Sequence, residues 1–181
     1  MHSSTSPDGS IALFHNQNSK FGAVAVGAIA IAVLIADQLS KGFVIAHVFF
    51  DAQCLPWCGH KEIVPGWLRI APEPNYHGAF GLLGSNTFLL IAMALIVLVI
   101  FWISFREAAE RSVLVRIAFG LILGGAVSNI IDRVHYGYVI DFIDFYRFPN
   151  IWRFTFNVAD SCITIGVILL LLSSVTSRRH A

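Results

Sequence analysis

Apolar residues fall along this chain in four long blocks, from Phe21 to about Val44, Thr87 to Phe105, Val113 to Ile131, and Val158 to Val175. A helix needs roughly 20 residues to cross a hydrocarbon core, so the pattern predicts four transmembrane helices. The connection over 48–86 breaks that periodicity. Pro65, Pro72, Pro74 and several glycines surround short apolar pieces such as Trp67-Leu68-Arg69-Ile70, which predicts short strands. The expected fold is therefore an all-α integral membrane protein of four transmembrane helices, with a small β-containing region in the loops of one face. Residues 1–20 are polar without a helical period and read as a disordered tail. Residues 21–175 form one membrane domain, and 176–181 a second tail.

Composition agrees with that class. Hydrophobic residues make up 56% of the 181, and charged residues only 13%, far from the balance of a soluble domain of this length. A net charge of +1 without any long basic run argues against a nucleic-acid partner. The first block is too long for a cleaved signal peptide and runs into Asp37 and Lys41, so it reads as a retained span.

An even number of spans puts both termini on one side. Basic residues divide evenly between the two faces, Lys20, Arg106, Arg111, Arg116, Arg178 and Arg179 against Lys41, Lys61, Arg69, Arg133, Arg147 and Arg153. The short REAAER turn and the terminal Arg pair are the most position-sensitive of these charges, and they favour cytoplasmic termini. Trp57, Trp67, Tyr76, Tyr136, Tyr138, Tyr146 and Trp152 all belong to the two larger connections, 48–86 and 132–157, where their rings suit the headgroup level of the outer face. In the third block, Gly120, Gly124, Gly125 and Ser128 form a small-residue face suited to close helix packing.

Up-and-down topology gathers the end of the first span, the start of the second, the end of the third and the start of the fourth. The polar residues of an otherwise apolar chain stand at those ends: Asp37 and Lys41, Asn75, Asn129 with Asp132 and Arg133, then Asn157 with Asp160. Ionisable groups at membrane depth are costly and mark function. Asp37 and Lys41, spaced i,i+4, are expected to pair. Asp132, beside Arg133 and one turn after Asn129, reads as a clasp closing a helix end. Asp141, set in Val139-Ile140-Asp141-Phe142-Ile143, and Asp160, at the head of the last span, have no obvious local cation. Two such carboxylates in a poorly solvated place share a proton and suit general acid–base work. A proton relay and plain hydrogen bonding are the alternatives, and Asp144 competes with Asp141.

Cys54 and Cys58, near His60, admit a disulfide, a metal site or free thiols, and Cys162 reads as a small buried hydrophobe. The sequence contains no phosphate-binding glycine loop, zinc-protease helix motif or serine nucleophile elbow.

Four blocks in order resemble the signal peptidase II family of bacterial inner-membrane aspartic proteases. They are Asp-Gln-x-Ser-Lys at Asp37 to Lys41, Asn-x-x-x-Ala-Phe at Asn75 to Phe80, Gly-Gly-Ala-x-x-Asn-x-x-Asp-Arg with Gly-x-Val-x-Asp-Phe between Gly124 and Phe142, and Phe-Asn-x-Ala-Asp at Phe156 to Asp160. The resemblance implies a catalytic dyad of Asp141 and Asp160. It also implies that Asn75, Asn129, Arg133 and Asn157 line the site or hold the aspartates, supported by Asp37 and Lys41. It implies no metal or organic cofactor, a monomer in the inner membrane with its active site on the extracytoplasmic face, and contact with membrane lipids. The implied substrates are diacylglyceryl-modified prolipoproteins, cut just before the lipidated cysteine. The rival reading is a small transporter or proton- or cation-relaying subunit. His77 and Ser128 stand where the family usually has glycine, and the stretch from Cys54 to His60 looks longer than the usual connection.

Overall fold

The computed structural model describes residues 8–48, 59–77, 86–147 and 155–178. Its elements run α1 (Asp8–His47), β1 (Lys61–Val64), β2 (Leu68–Asn75), α2 (Thr87–Arg111), α3 (Val113–Tyr136), β3 (Val139–Asp144), β4 (Thr155–Phe156) and α4 (Val158–Arg178). Among the described residues, four segments are long and apolar enough to cross a membrane: Gly22–His47, Thr87–Ser104, Val113–Tyr136 and Val158–Val175. These match the four sequence blocks to within a turn or so.

Two boundaries differ from expectation. The first helix begins at Asp8, so residues 8–20 continue α1 instead of forming a disordered tail. No proline interrupts the chain after Pro7 until Pro56, and extending an existing helix adds one hydrogen bond for each residue fixed. The turn expected over 105–112 is helical through Arg111, leaving Ser112 alone between α2 and α3. Ser112 has extended backbone (φ −126°, ψ 123°), and its side chain accepts from the Val115 N–H, an N-cap.

Helix α3 is the centre of the bundle. Gly120 and Gly124 face α1, where a Cβ on Gly124 would stand 2.5 Å from the Ala30 carbonyl oxygen. Gly125 faces α4 instead, and a Cβ there would stand 2.6 Å from the Ala159 carbonyl oxygen. The small residues therefore serve two interfaces rather than the single face expected. Adjacent glycines point about 100° apart on a helix, which lets both neighbours approach α3 closely. Val26, Val115, Ala118, Phe119, Ile122 and Leu170 fill the core towards the other end. Helix α2 packs most loosely, with 6% of its span buried, and turns Phe88, Val99, Ile100 and Ile103 outwards as a lipid-facing helix does.

The four strands form one antiparallel sheet in the order β1-β2-β3-β4, covering the end of the bundle where α1 and α3 finish and α2 and α4 begin. Pro65-Gly66 makes the β1–β2 turn, Gly66 at φ 77° and the Trp67 N–H donating to the Val64 carbonyl at 3.0 Å. Register shifts in β2 between Ile70 and Glu73, where Pro72 has no N–H to give the ladder. The Tyr146 hydroxyl accepts from the Gly66 N–H and donates to Glu62, and Arg69 pairs with Asp144 at 2.6 Å, so the hairpin is stapled to the chain around β3. Gly137 ends α3 in the left-handed region (φ 81°), and its carbonyl accepts from Thr87 at the head of α2.

Overpacking a tight interface costs about 1–3 kcal/mol. Gly125→Leu is therefore expected to lower the Tm of the detergent-purified protein. Gly27→Ala, with nothing within 4 Å of the new methyl, should leave it unchanged or higher. Thermal melts of the two variants check this.

Candidate active site

Asp141 lies in the middle of β3 and is 1% exposed. Asp160 stands in the first turn of α4, half-buried. One side chain ties the two segments. The Asn157 amide donates to Asp141 Oδ1 at 2.7 Å, while Asn157 Oδ1 accepts the backbone N–H of Asp160 at 2.8 Å, which also caps α4. The Asn75 amide, at the end of β2, donates to the other Asp141 oxygen at 2.8 Å. Asn129, on α3, donates to Asp160 Oδ1 at 2.8 Å and accepts from Asn157 at 3.2 Å. Three asparagines thus give the two acids directional, uncharged donors.

Asp144 is separated from this constellation by strand geometry. Three residues on from Asp141, it leaves the opposite side of the pleat and meets Arg69.

Below the asparagines lies a charged cluster. Lys41 Nζ reaches Asp37 Oδ2 at 2.6 Å, Asp132 Oδ2 at 2.7 Å and Asn129 Oδ1 at 3.2 Å, so its three protons each have an acceptor. The i,i+4 pairing of Asp37 with Lys41 is as expected. Asp132 is not the local clasp its neighbours suggested: it accepts from Lys41, from Gln38 at 2.8 Å and from the Ile140 N–H at 3.1 Å. Ser128 donates to Asp37 at 2.7 Å and accepts from Gln38 at 2.9 Å. Gln38 and Ser128 are the polar residues whose part here went unread. Their signal was present, since both stand on the helix faces that carry Lys41 and Asp132.

Arg133 bonds the Asn129 carbonyl through Nη1 at 3.3 Å, and its buried Nε has no partner among the described residues. His77 donates its backbone N–H to Asn75 Oδ1 at 3.2 Å, which orients that amide towards Asp141. Every residue expected at the site is therefore brought to one end of the bundle. Cys54 and Cys58 lie outside the described residues, and no cluster of three or more metal-ligating side chains occurs among the described ones.

Burial, followed by the nearby Asp160 charge, raises Asp141 from the ordinary 3.8 to about 7, against the opposing pull of Asn75, Lys41 and Asn157. Between those two values the folded chain holds a proton that the unfolded chain has released. Stability from this group therefore falls as pH rises from about 4 through 7. Asp141→Asn is expected to flatten that part of the Tm-against-pH curve in detergent, and an unchanged slope would contradict the assignment.

Residues 29–176 match the family model described as Signal peptidase (SPase) II. The lipoprotein signal peptidase of Symbiobacterium thermophilum is 36% identical over 155 residues, covering 83% of this chain and 94% of that protein. The lipoprotein signal peptidase of Caulobacter vibrioides is 36% identical over 157 residues, covering 84% and 88%. A solved structure described as a bacterial membrane enzyme superposes with a TM-score of 0.71 at 32% identity, covering 83% of this chain and 87% of that one. Because the family match extends from the first span to the last and takes in every polar residue of the site, this chain belongs to the signal peptidase II family.

Proposed function

We propose that this chain is an aspartic endopeptidase of the membrane interface, in which Asp141 and Asp160 cleave diacylglyceryl-modified prolipoproteins just before the lipidated cysteine. The observation that carries this reading is the joint hold of Asn157 on the Asp141 carboxylate and the Asp160 backbone, which brings together two acids that have no ion pair among the described residues. Two acids so placed keep one proton between them.

The chemistry follows from that shared proton. The charged carboxylate takes a proton from water as the oxygen attacks the scissile carbonyl, and the protonated one gives its proton to the carbonyl oxygen. In the collapse, the carboxyl that took the water's proton passes it to the leaving nitrogen while its partner takes a hydroxyl proton back from the diol, so the C–N bond breaks, the C=O bond re-forms and the pair again holds one proton. The products are the signal peptide with a new carboxylate and the lipoprotein with a free cysteine amine. Arg133 Nε, a buried donor without a partner among the described residues, suits a substrate carbonyl. No step requires a metal or organic cofactor.

The apolar bundle suits such a substrate. A signal helix and acyl chains remain in lipid while the bond to be cut meets the polar end beneath the sheet. A transporter or proton relay would place acids along the path of its cargo. Within the four spans, Asp37, Asp132 and Asp160 all stand at the sheet end. The basic Arg116 at the opposite end and the aromatic residues of the sheet region favour cytoplasmic termini and an extracytoplasmic site in the inner membrane, worked by a monomer.

With lipidated prolipoprotein in detergent, Asp141→Asn and Asp160→Asn are each expected to lower kcat by about 1,000-fold or more in folded protein, because Asn keeps the shape but carries no proton. EDTA should leave the wild type unaffected. Substantial turnover by either variant would sink the dyad. Each buried methylene contributes about 0.8 kcal/mol, so matched unlipidated precursor should show a kcat/KM lower by orders of magnitude, and equal values would refute lipid recognition. In a background lacking native cysteines, an impermeant thiol reagent applied to intact cells should label Lys61→Cys and spare Ser112→Cys. The reverse pattern would invert the topology.

A further inference from the structure

The charged cluster beneath the dyad has a symmetry that simple neutralisation of buried charge does not require. Asp37 Oδ1 accepts the backbone N–H of Ala159 at 2.8 Å, the residue immediately before Asp160. Asp132 Oδ2 accepts the backbone N–H of Ile140 at 3.1 Å, the residue immediately before Asp141. Each supporting carboxylate thus grips the chain one residue ahead of a dyad acid. Lys41 then joins the two grips, 2.6 Å from Asp37 and 2.7 Å from Asp132.

The remaining lone pairs are fixed as well. Ser128 closes on Asp37 at 2.7 Å, Gln38 on Asp132 at 2.8 Å, and Gln38 on Ser128 at 2.9 Å, so a second, uncharged bridge runs parallel to the ammonium. Asp37, Lys41, Ser128 and Asp132 are all buried, and each carboxylate takes three donors. Among the described residues neither carboxylate bonds a dyad side chain, and the hydrogen bonds of both to the dyad segments are made to backbone N–H groups. The cluster joins α1 and α3 to the two segments, β3 and the head of α4, that carry the dyad.

We propose that Asp37 and Asp132, bridged by Lys41 and by the Gln38–Ser128 pair, are positioning residues that fix the spacing of Asp141 and Asp160 through the backbone N–H groups of Ile140 and Ala159. The proposal rests on the reading of Asp141 and Asp160 as the dyad. It assigns Asp132 a part equal to that of Asp37, and it gives Ser128 a share in setting the geometry. A displacement of about 1 Å at reacting groups can cost about 100-fold in rate. A brace of this kind therefore acts on kcat and leaves substrate binding largely alone.

The test uses full-length protein in detergent with diacylglyceryl-modified prolipoprotein, with rates normalised to folded enzyme. Asp37→Asn and Asp132→Asn are each expected to lower kcat by about 100-fold with KM within about three-fold. The double variant should be no slower than the slower single one, because the two grips work as one unit. Removing one member of a buried ion pair can prevent folding. Ser128→Ala and Gln38→Met, which remove only neutral donors, then decide the matter alone, and each should lower kcat about five-fold at unchanged KM. Wild-type kcat in the folded variants, whatever their Tm, or a rise in KM at constant kcat, would overturn the brace. If Asp141→Asn or Asp160→Asn remains active, the dyad itself is wrong; if those are inactive while the brace variants keep full kcat, only the present inference fails.

Discussion

An ionised group in an apolar bundle is costly unless its lone pairs and protons find partners. That constraint shapes this protein more than any other. Asp37, Asp132 and Lys41 are almost completely removed from solvent, and the helices are arranged so that backbone N–H groups, one serine and one glutamine complete what the ammonium begins. Close contact of α1 and α4 with α3, permitted by Gly124 and Gly125, is what brings those donors within reach. The glycines and the buried charges are therefore parts of one design: without the close approach, the polar groups would remain unpaired in a medium that offers no water.

The two layers of polar residues do different work. Asn75, Asn129 and Asn157 contact Asp141 and Asp160 through neutral amides, which orient a carboxylate without fixing its charge. An arginine or lysine in their place would favour the ionised form of both acids and oppose the shared proton that the proposed chemistry uses. Lys41 sits one layer deeper. The site thus keeps a strong positive charge close enough to order the asparagines but in direct contact with other carboxylates.

Much of this was legible in the sequence, because helices in lipid are long, apolar and cannot be confused with loops. The spans emerged to within a turn or so, as did a short strand around Trp67-Leu68-Arg69-Ile70 and the pairing of Asp37 with Lys41. Strand β3 was not foreseen, since Val-Ile-Asp-Phe-Ile-Asp is buried on both faces and offers no clean alternation. Asp132 was misread for a related reason. Its neighbour in sequence is Arg133, whereas its partner Gln38 is 94 residues away, and such a contact becomes visible only after α1 and α3 are packed. The REAAER stretch was taken as a turn because of its charges, though Arg, Glu and Ala all favour a helix and one residue suffices to reverse the chain.

The order of elements along the chain has a consequence for how the protein is made. Strand β4, Asn157, the Ala159 N–H and Asp160 all belong to the last 27 residues, while everything they complete lies earlier. During synthesis the first three helices enter the membrane with Asp37 short of the Ala159 donor and Asp141 without its partner. On the proposed dyad, a chain arrested before α4 lacks one of its two acids and carries buried charge that its own structure has not yet satisfied. Insertion of the final span supplies both deficits at once, so site and bundle are completed in the same step of assembly.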